Sequence, residues 1–285
     1  MPNPALPARE AYRPDIQGLR AIAVVAVLLF HLELAAFGGG FVGVDVFYVI
    51  SGYLIGGIVL RDHEAGRFTY AAFLARRVRR LVPALLVVLV ASTLAAALLL
   101  LPAELAAYGK SLIAALVFAA NIHFHRGQFE YGESGDVPLL HLWTLGVEWQ
   151  FYLLLPLLLL GLMRWRRVGL WLGLVGVALL SAAASLAFPQ ASFYLLPARV
   201  WEFVAGVLCV ITPLPGLRFR ALREALALAG LGLIAAAVGL FDTADPFPGW
   251  RALVPCAGAA AIILAGRAGP TLVGRALSLP LATYL

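Results

Sequence analysis

Apolar runs of about 20 residues recur along the whole chain, and they constrain its fold more than any other feature. They lie at residues 19–37, 41–60, 81–101, 112–120, 139–163, 168–188, 195–211, 225–241 and 250–265. Most of them are long enough to cross a hydrocarbon core of about 30 Å as a helix. With 62% hydrophobic and 13% charged residues, the chain differs from soluble domains, in which about 25% of residues are charged. The runs therefore predict an all-α, polytopic transmembrane helical bundle.

The basic residues predict how the runs are oriented, because Lys and Arg favour the cytoplasmic side of a membrane. With the N-terminus inside and run 112–120 not crossing, all but four of the 21 basic residues fall in cytoplasmic segments. If that run crosses, nine of them lie outside. We therefore expect about eight complete crossings plus a short re-entrant or interfacial half-helix at 112–120. Membrane orientation also accounts for the net charge of +6, so nucleic acid is not expected as a partner.

The polar ends and the cysteines set the domain organisation. Residues 1–14 are Pro-rich and polar, so we expect a disordered cytoplasmic N-terminus followed by one transmembrane domain at 15–285. Cys209 and Cys256 both lie inside apolar runs, which predicts neither a disulfide framework nor a cysteine metal site. His123 and His125 lack a third ligand. No metal site is predicted.

The first apolar helix carries two ionisable side chains eleven residues apart, Arg20 and His31. At 100° per residue they share one face to within about 20°, about 16 Å apart along the axis. This arrangement suits an anion held at Arg20 and proton chemistry at His31. The alternative is an Arg that reaches the membrane surface and a His satisfied by a neighbouring helix.

The second helix places Asp45, Tyr48 and Gly52 on one face. Asp45 is interpreted either as an orienting partner for His31 or as a solvated residue at the helix end. Gly52 and Gly56 form a small-xxx-small pair, which favours close helix packing.

A cluster of four arginines, at positions 76, 77, 79 and 80, precedes the third run. Such a cluster anchors a protein to anionic lipid, and it equally suits a phosphate-bearing ligand that guanidinium groups grip in pairs.

Polar residues also lead into the run at 139–163. His141 and Glu148 are seven residues apart and share a face, so the carboxylate could orient an imidazole. Pairing of Glu148 with Arg199 is the alternative. Arg199 and Glu202, three apart on a later helix, are expected to neutralise each other.

These residues resemble the acyltransferase 3 family, membrane O-acyltransferases that modify O-antigens, exopolysaccharides and peptidoglycan. The match is carried by YRPDIQGLRAIAVVAVLLFH with GGGFVGVDVFYVISGYLI, by FLARRVRRLVPAL, and by PLLHLWTLGVEWQFYLLLP. The resemblance implies acyl-CoA, usually acetyl-CoA, as a cytoplasmic cosubstrate with no permanently bound cofactor. It implies a carbohydrate or lipid-linked glycan acceptor beyond a bacterial cytoplasmic (inner) membrane.

The resemblance also implies roles for particular residues, among them Arg20 and His31 as the essential pair. The catalytic candidates are His31, Glu148 and Asp45; the cosubstrate-binding candidates are Arg20, Arg76, Arg77, Arg80 and Ser51; the substrate-side candidates are His141, Trp143 and Tyr152. Trp149 stands where many members have a second Glu, and members usually continue beyond position 285, so we expect C-terminal helices to be missing. A transporter or channel whose His, Arg and Glu line a path is the alternative function.

Overall fold

The computed structural model describes residues 13–127, 137–165, 167–243 and 247–284. Over these ranges the regular structure is helical, with no strand, which confirms the all-α prediction. The α-helices are α1 Pro14–His31, α2 Gly43–Glu64, α3 Tyr70–Leu99, α4 Pro102–Leu116, α5 Ala120–Arg126, α6 Trp143–Met163, α7 Arg167–Ala187, α8 Pro189–Tyr194, α9 Leu196–Ile211, α10 Arg220–Leu240, α11 Leu253–Ala268, α12 Leu272–Leu277 and α13 Pro280–Tyr284. Most of the predicted N-terminal segment 1–14 lies outside the described residues.

Six of the described helices are long and apolar enough to cross a membrane: α1, α2, α3, α6, α7 and α10. Eight crossings would need two further helices, and α9 and α11 have 16 residues each, about 24 Å at 1.5 Å per residue. Residues 112–116 of the half-helix predicted at 112–120 form the end of a longer helix, α4, which starts at Pro102 and ends at Leu116. Phe118 then adopts a positive φ of 56°, and this turn separates α4 from α5.

Helix α1 starts earlier than its apolar run, because Pro14 is at the first helical position and Asp15 is in the first turn. Arg13 grips the Asp15 carboxylate with two donors, at 2.8 and 2.6 Å. It also donates to Tyr53 Oη at 3.3 Å and to the carbonyl of Ile263 at 3.5 Å. The cluster ties the start of α1 to α2 and α11.

Helix α2 is the central helix. In its most apolar stretch 83% of the residues are buried, against 17% in the corresponding stretch of α3 at the periphery. It packs closely against α9 through glycines on both helices. A Cβ on Gly52 would collide with the backbone carbonyl of Phe203, and one on Gly206 with the carbonyl of Val49. The close packing predicted for Gly52 and Gly56 is confirmed, with Gly56 against Val207.

Candidate active site

A carboxylate on α6 lies at the centre of the polar residues that face the interior. Ser51, on α2, donates to Glu148 Oε1 at 2.5 Å, and Tyr152 donates to the same oxygen. Glu148 and Tyr152 are four residues apart and so share a helix face. Two hydroxyl donors on one oxygen fix the orientation of the carboxyl group.

Two arginines on other helices lie within electrostatic range of this carboxylate. Arg20 on α1 is within electrostatic range of Arg80, Glu148 and Tyr152. Arg77 on α3 is buried, and it interacts with Tyr152, Arg80 and Glu148. The exposed Arg80 lies within electrostatic range of both arginines, so the guanidinium groups outnumber the carboxylate and leave a positive excess that an anionic ligand would neutralise. The buried Arg77 Nε has no partner among the described residues and is available as a donor.

The predicted arginine cluster divides between two environments in the structure. Arg77 faces the site, whereas Arg76 is exposed and forms an ion pair with Asp62 at 3.4 Å. Arg79 is also exposed. Of the five cosubstrate-binding candidates, Arg20, Arg77 and Ser51 therefore interact with Glu148. Arg80 is exposed and lies within electrostatic range of Arg20 and Arg77, and Arg76 contacts the end of α2.

Two histidines mark the opposite end of the site. His31 is the last residue of α1, is exposed, and lies within electrostatic range of the exposed His141. Its Nδ1 is 2.7 Å from the carbonyl oxygen of Val27, one turn earlier. A carbonyl oxygen only accepts hydrogen bonds, so Nδ1 carries the hydrogen and Nε2 of the neutral ring carries the lone pair. In the neutral ring, Nε2 is therefore the nitrogen that can accept a proton.

Residues 13–285 match the family described as "Acyltransferase domain". The chain belongs to this acyltransferase family. It is 34% identical over 274 residues to a protein named as a membrane-bound transacylase, BcsY of Komagataeibacter xylinus, covering 95% of this chain and 68% of that one. It is 37% identical over 150 residues to the O-acetyltransferase OatA of Staphylococcus aureus strain NCTC 8325 / PS 47, covering 52% of this chain and 25% of that one. The acyltransferase thus spans about a quarter of OatA, and no solved structure matches it.

Asp45 occupies a different part of the acyltransferase from His31. Its Oδ1 accepts a hydrogen bond from Arg199 Nη1 at 2.7 Å, and the same nitrogen donates to Glu202 at 2.8 Å. Asp45 is fully buried, so its interpretation as a solvated end residue is wrong. The carbonyl of Val27 supplies the orienting contact to His31 that Asp45 was expected to supply. The predicted pairing of Arg199 with Glu202 is confirmed.

The substrate-side candidates lie in different parts of the structure. His141 is exposed next to His31, whereas Tyr152 is buried beside Glu148. Trp143 is 1% exposed and packs against Phe193 and Tyr194, with ring centroids 4.9 and 5.3 Å away. The ring of Trp143 is therefore part of the buried core.

One positioning contact was not predicted from the sequence. Asn121 on α5 and Gln150 on α6 exchange amide hydrogen bonds at 2.9 and 3.3 Å. Asn121 also donates to the carbonyl of Tyr194 at 3.1 Å. A buried amide directly after an apolar run was the available signal, because such a group needs partners. The pair fixes α5 against the part of α6 that carries Glu148.

Proposed function

We propose that the acyltransferase moves an acyl group, acetyl in particular, from cytoplasmic acyl-CoA to a hydroxyl of an extracytoplasmic carbohydrate or lipid-linked glycan. The observation that carries this proposal is the position of Arg20 and His31 near opposite ends of α1. Eleven residues separate them, about 16 Å along the axis. A long donor with phosphates at one end and a thioester at the other matches that separation.

The arginine end would hold the donor. Arg20, Arg77 and Arg80 present guanidinium groups that bind phosphate oxygens in pairs. Glu148, oriented by Ser51 and Tyr152, would position these arginines through its negative charge. In this role Glu148 acts on the donor site and does not take the substrate proton.

The histidine end would carry the chemistry. An acceptor hydroxyl oxygen attacks the thioester carbonyl carbon, and His31 Nε2 takes the hydroxyl proton as the new C–O bond forms. The C–S bond then breaks, and the departing thiolate of CoA receives that proton. An acyl-histidine relay is a variant in which Nε2 attacks the thioester carbon and the C–S bond breaks to release the CoA thiolate. The acceptor oxygen then attacks the acyl-imidazole, the C–N bond breaks, and the hydroxyl proton passes to the thiolate. His141 lies where the acceptor would approach.

The proposed sidedness rests on charge distribution and helix length. With α4 not crossing, basic residues concentrate on the side that contains the start of α1, and the N-terminus lies in the cytoplasm of a bacterial inner membrane. Helix α4, with 15 residues, is about 22 Å long and is shorter than a comfortable span. His31 and His141 then face outward. Donor and acceptor would reach the site from opposite sides.

Substituting the arginines tests the donor site. We expect Arg20→Lys and Arg77→Lys each to raise the apparent KM for acetyl-CoA about tenfold, equivalent to roughly 1.4 kcal/mol, because a point charge lacks the paired donors. Initial rates over a range of acetyl-CoA concentrations would measure this. Arg79→Lys is the matched control, since Arg79 is exposed on the same helix and is expected to keep the wild-type KM. An unchanged KM for acetyl-CoA in all three variants would contradict the donor site and would indicate that the arginine cluster binds anionic lipid.

A further inference from the structure

A buried ion cluster between α2 and α9 lies apart from the arginines of the proposed donor site. Arg199 Nη1 contacts Asp45 and Glu202 at once, and all three residues are at most 1% exposed. Aromatic rings lie 5.4–5.9 Å from the guanidinium carbon; they belong to Tyr48, Trp143, Phe193 and Phe247. These rings separate the cluster from water, so its charge must balance internally.

The cluster holds one guanidinium and two carboxyl groups, which leaves one unbalanced negative charge if both carboxyl groups are ionised. The titratable groups that face it are Tyr48 on α2 and Cys256 on α11, and Glu148 on α6 interacts with Tyr48 from the other side. In the described part of the chain these neighbours bring no second positive charge. An uncompensated charge at this depth is costly, and a buried group neutralises before it bears that cost.

The hydrogen bonds identify where the neutralising proton lies. Arg199 uses one oxygen of each carboxyl group, and the other two, Asp45 Oδ2 and Glu202 Oε2, are buried without a donor among the described residues. The two carboxyl groups are themselves hydrogen-bond neighbours. Two unsatisfied acceptors side by side lack one shared hydrogen.

We propose that Asp45 and Glu202 bind one proton between them, which makes the Arg199 cluster electrically neutral and holds α2 against α9. The proton is retained at neutral pH because releasing it would leave a buried net charge. The proposal is independent of the acyl donor and acceptor, because it concerns residues that the proposed reaction does not use.

Infrared spectroscopy of the purified protein at pH 8 tests the proposal directly. A protonated carboxylic acid has a carbonyl stretching band separate from those of carboxylates, and we expect wild type to show it. Glu202→Gln and Asp45→Asn should each abolish the band, while Glu64→Gln, which changes an exposed carboxylate, should retain it. Absence of the band in wild type would overturn the proposal, and so would a band that both variants keep.

Thermal unfolding gives a second test that does not depend on the spectrum. An amide resembles a protonated acid, so Glu202→Gln should melt within about 3 °C of wild type. The double variant Asp45→Asn/Glu202→Gln should melt more than about 10 °C lower, because Arg199 is left charged and unpaired. Equal losses in the single and double variants would contradict a shared proton. A wild-type Tm that falls when sodium and divalent ions are removed would identify a bound cation in place of the shared proton and would overturn the proposal.

Discussion

Replacing His31 with alanine is expected to lower kcat by about 10²- to 10⁴-fold, the contribution of a positioned general base. The fold should be unaffected, because His31 is exposed at the end of α1 and its Nδ1 bonds the carbonyl of Val27 within its own helix. We expect Tm to stay within about 2 °C of wild type, as for an ordinary surface substitution. Release of CoA thiol from acetyl-CoA by membranes that carry the protein would report the rate.

Glu33→Gln is the matched control for His31→Ala, since it changes an exposed ionisable group two residues away. This variant should keep the wild-type rate, which would assign the loss in His31→Ala to the imidazole. Full thiol release by His31→Ala would exclude His31 as the base and as the site of an acyl intermediate.

Replacing Gly52 with alanine is expected to destabilise the protein by about 3 kcal/mol, the upper part of the range for overpacking. The added Cβ would meet the backbone carbonyl of Phe203, which cannot move aside as a flexible side chain can. Helices α2 and α9 would then have to separate, and Ser51, next to Gly52, would shift relative to Glu148. Thermal unfolding should show a drop of about 6–12 °C.

Gly232→Ala is the control for this substitution, because Gly232 is an exposed position within α10 where an added Cβ meets nothing within 4 Å. Removing a helical glycine there should be neutral or stabilising by about 0.5–1 kcal/mol. Equal Tm values for Gly52→Ala and Gly232→Ala would show that the close approach of α2 and α9 does not stabilise the fold.

Relations within one helix could be predicted from the sequence, because the helical period fixes which residues share a face. The pairing of Arg199 with Glu202, three residues apart, is confirmed at 2.8 Å. The close contact at Gly52 follows the same logic, since small residues one turn apart indicate a neighbouring helix.

Contacts between helices could not be predicted in this way, because periodicity gives the face of a helix but not what lies opposite it. Asp45 and Arg199 are 154 positions apart, and Ser51 and Glu148 are 97 apart. Asp45 was interpreted as an orienting partner for His31 or as a solvated end residue, and neither alternative included Arg199. The bond from Tyr152 to Glu148 lies within one helix, and it was missed although a spacing of four residues puts both on one face.

Helix ends were also less predictable than helix interiors. Apolar runs placed the first helix at 19–37, whereas α1 runs from Pro14 to His31. Asp15 in its first turn is buried and paired with Arg13, so a search for apolar runs missed the start of the helix. At the other end a positive φ at Glu33 ends the helix within a run that is still largely apolar.

Transfer across a sealed membrane tests the central proposal most directly. Inverted vesicles from cells producing the protein would receive acetyl-CoA labelled in the acetyl group on their outer, originally cytoplasmic, surface. We expect label to appear on the enclosed envelope glycans with wild-type protein and to remain at background with His31→Ala. Label that appears only when acetyl-CoA is sealed inside the vesicles, or equally without the protein, would contradict an acyltransferase that takes its donor from the cytoplasm.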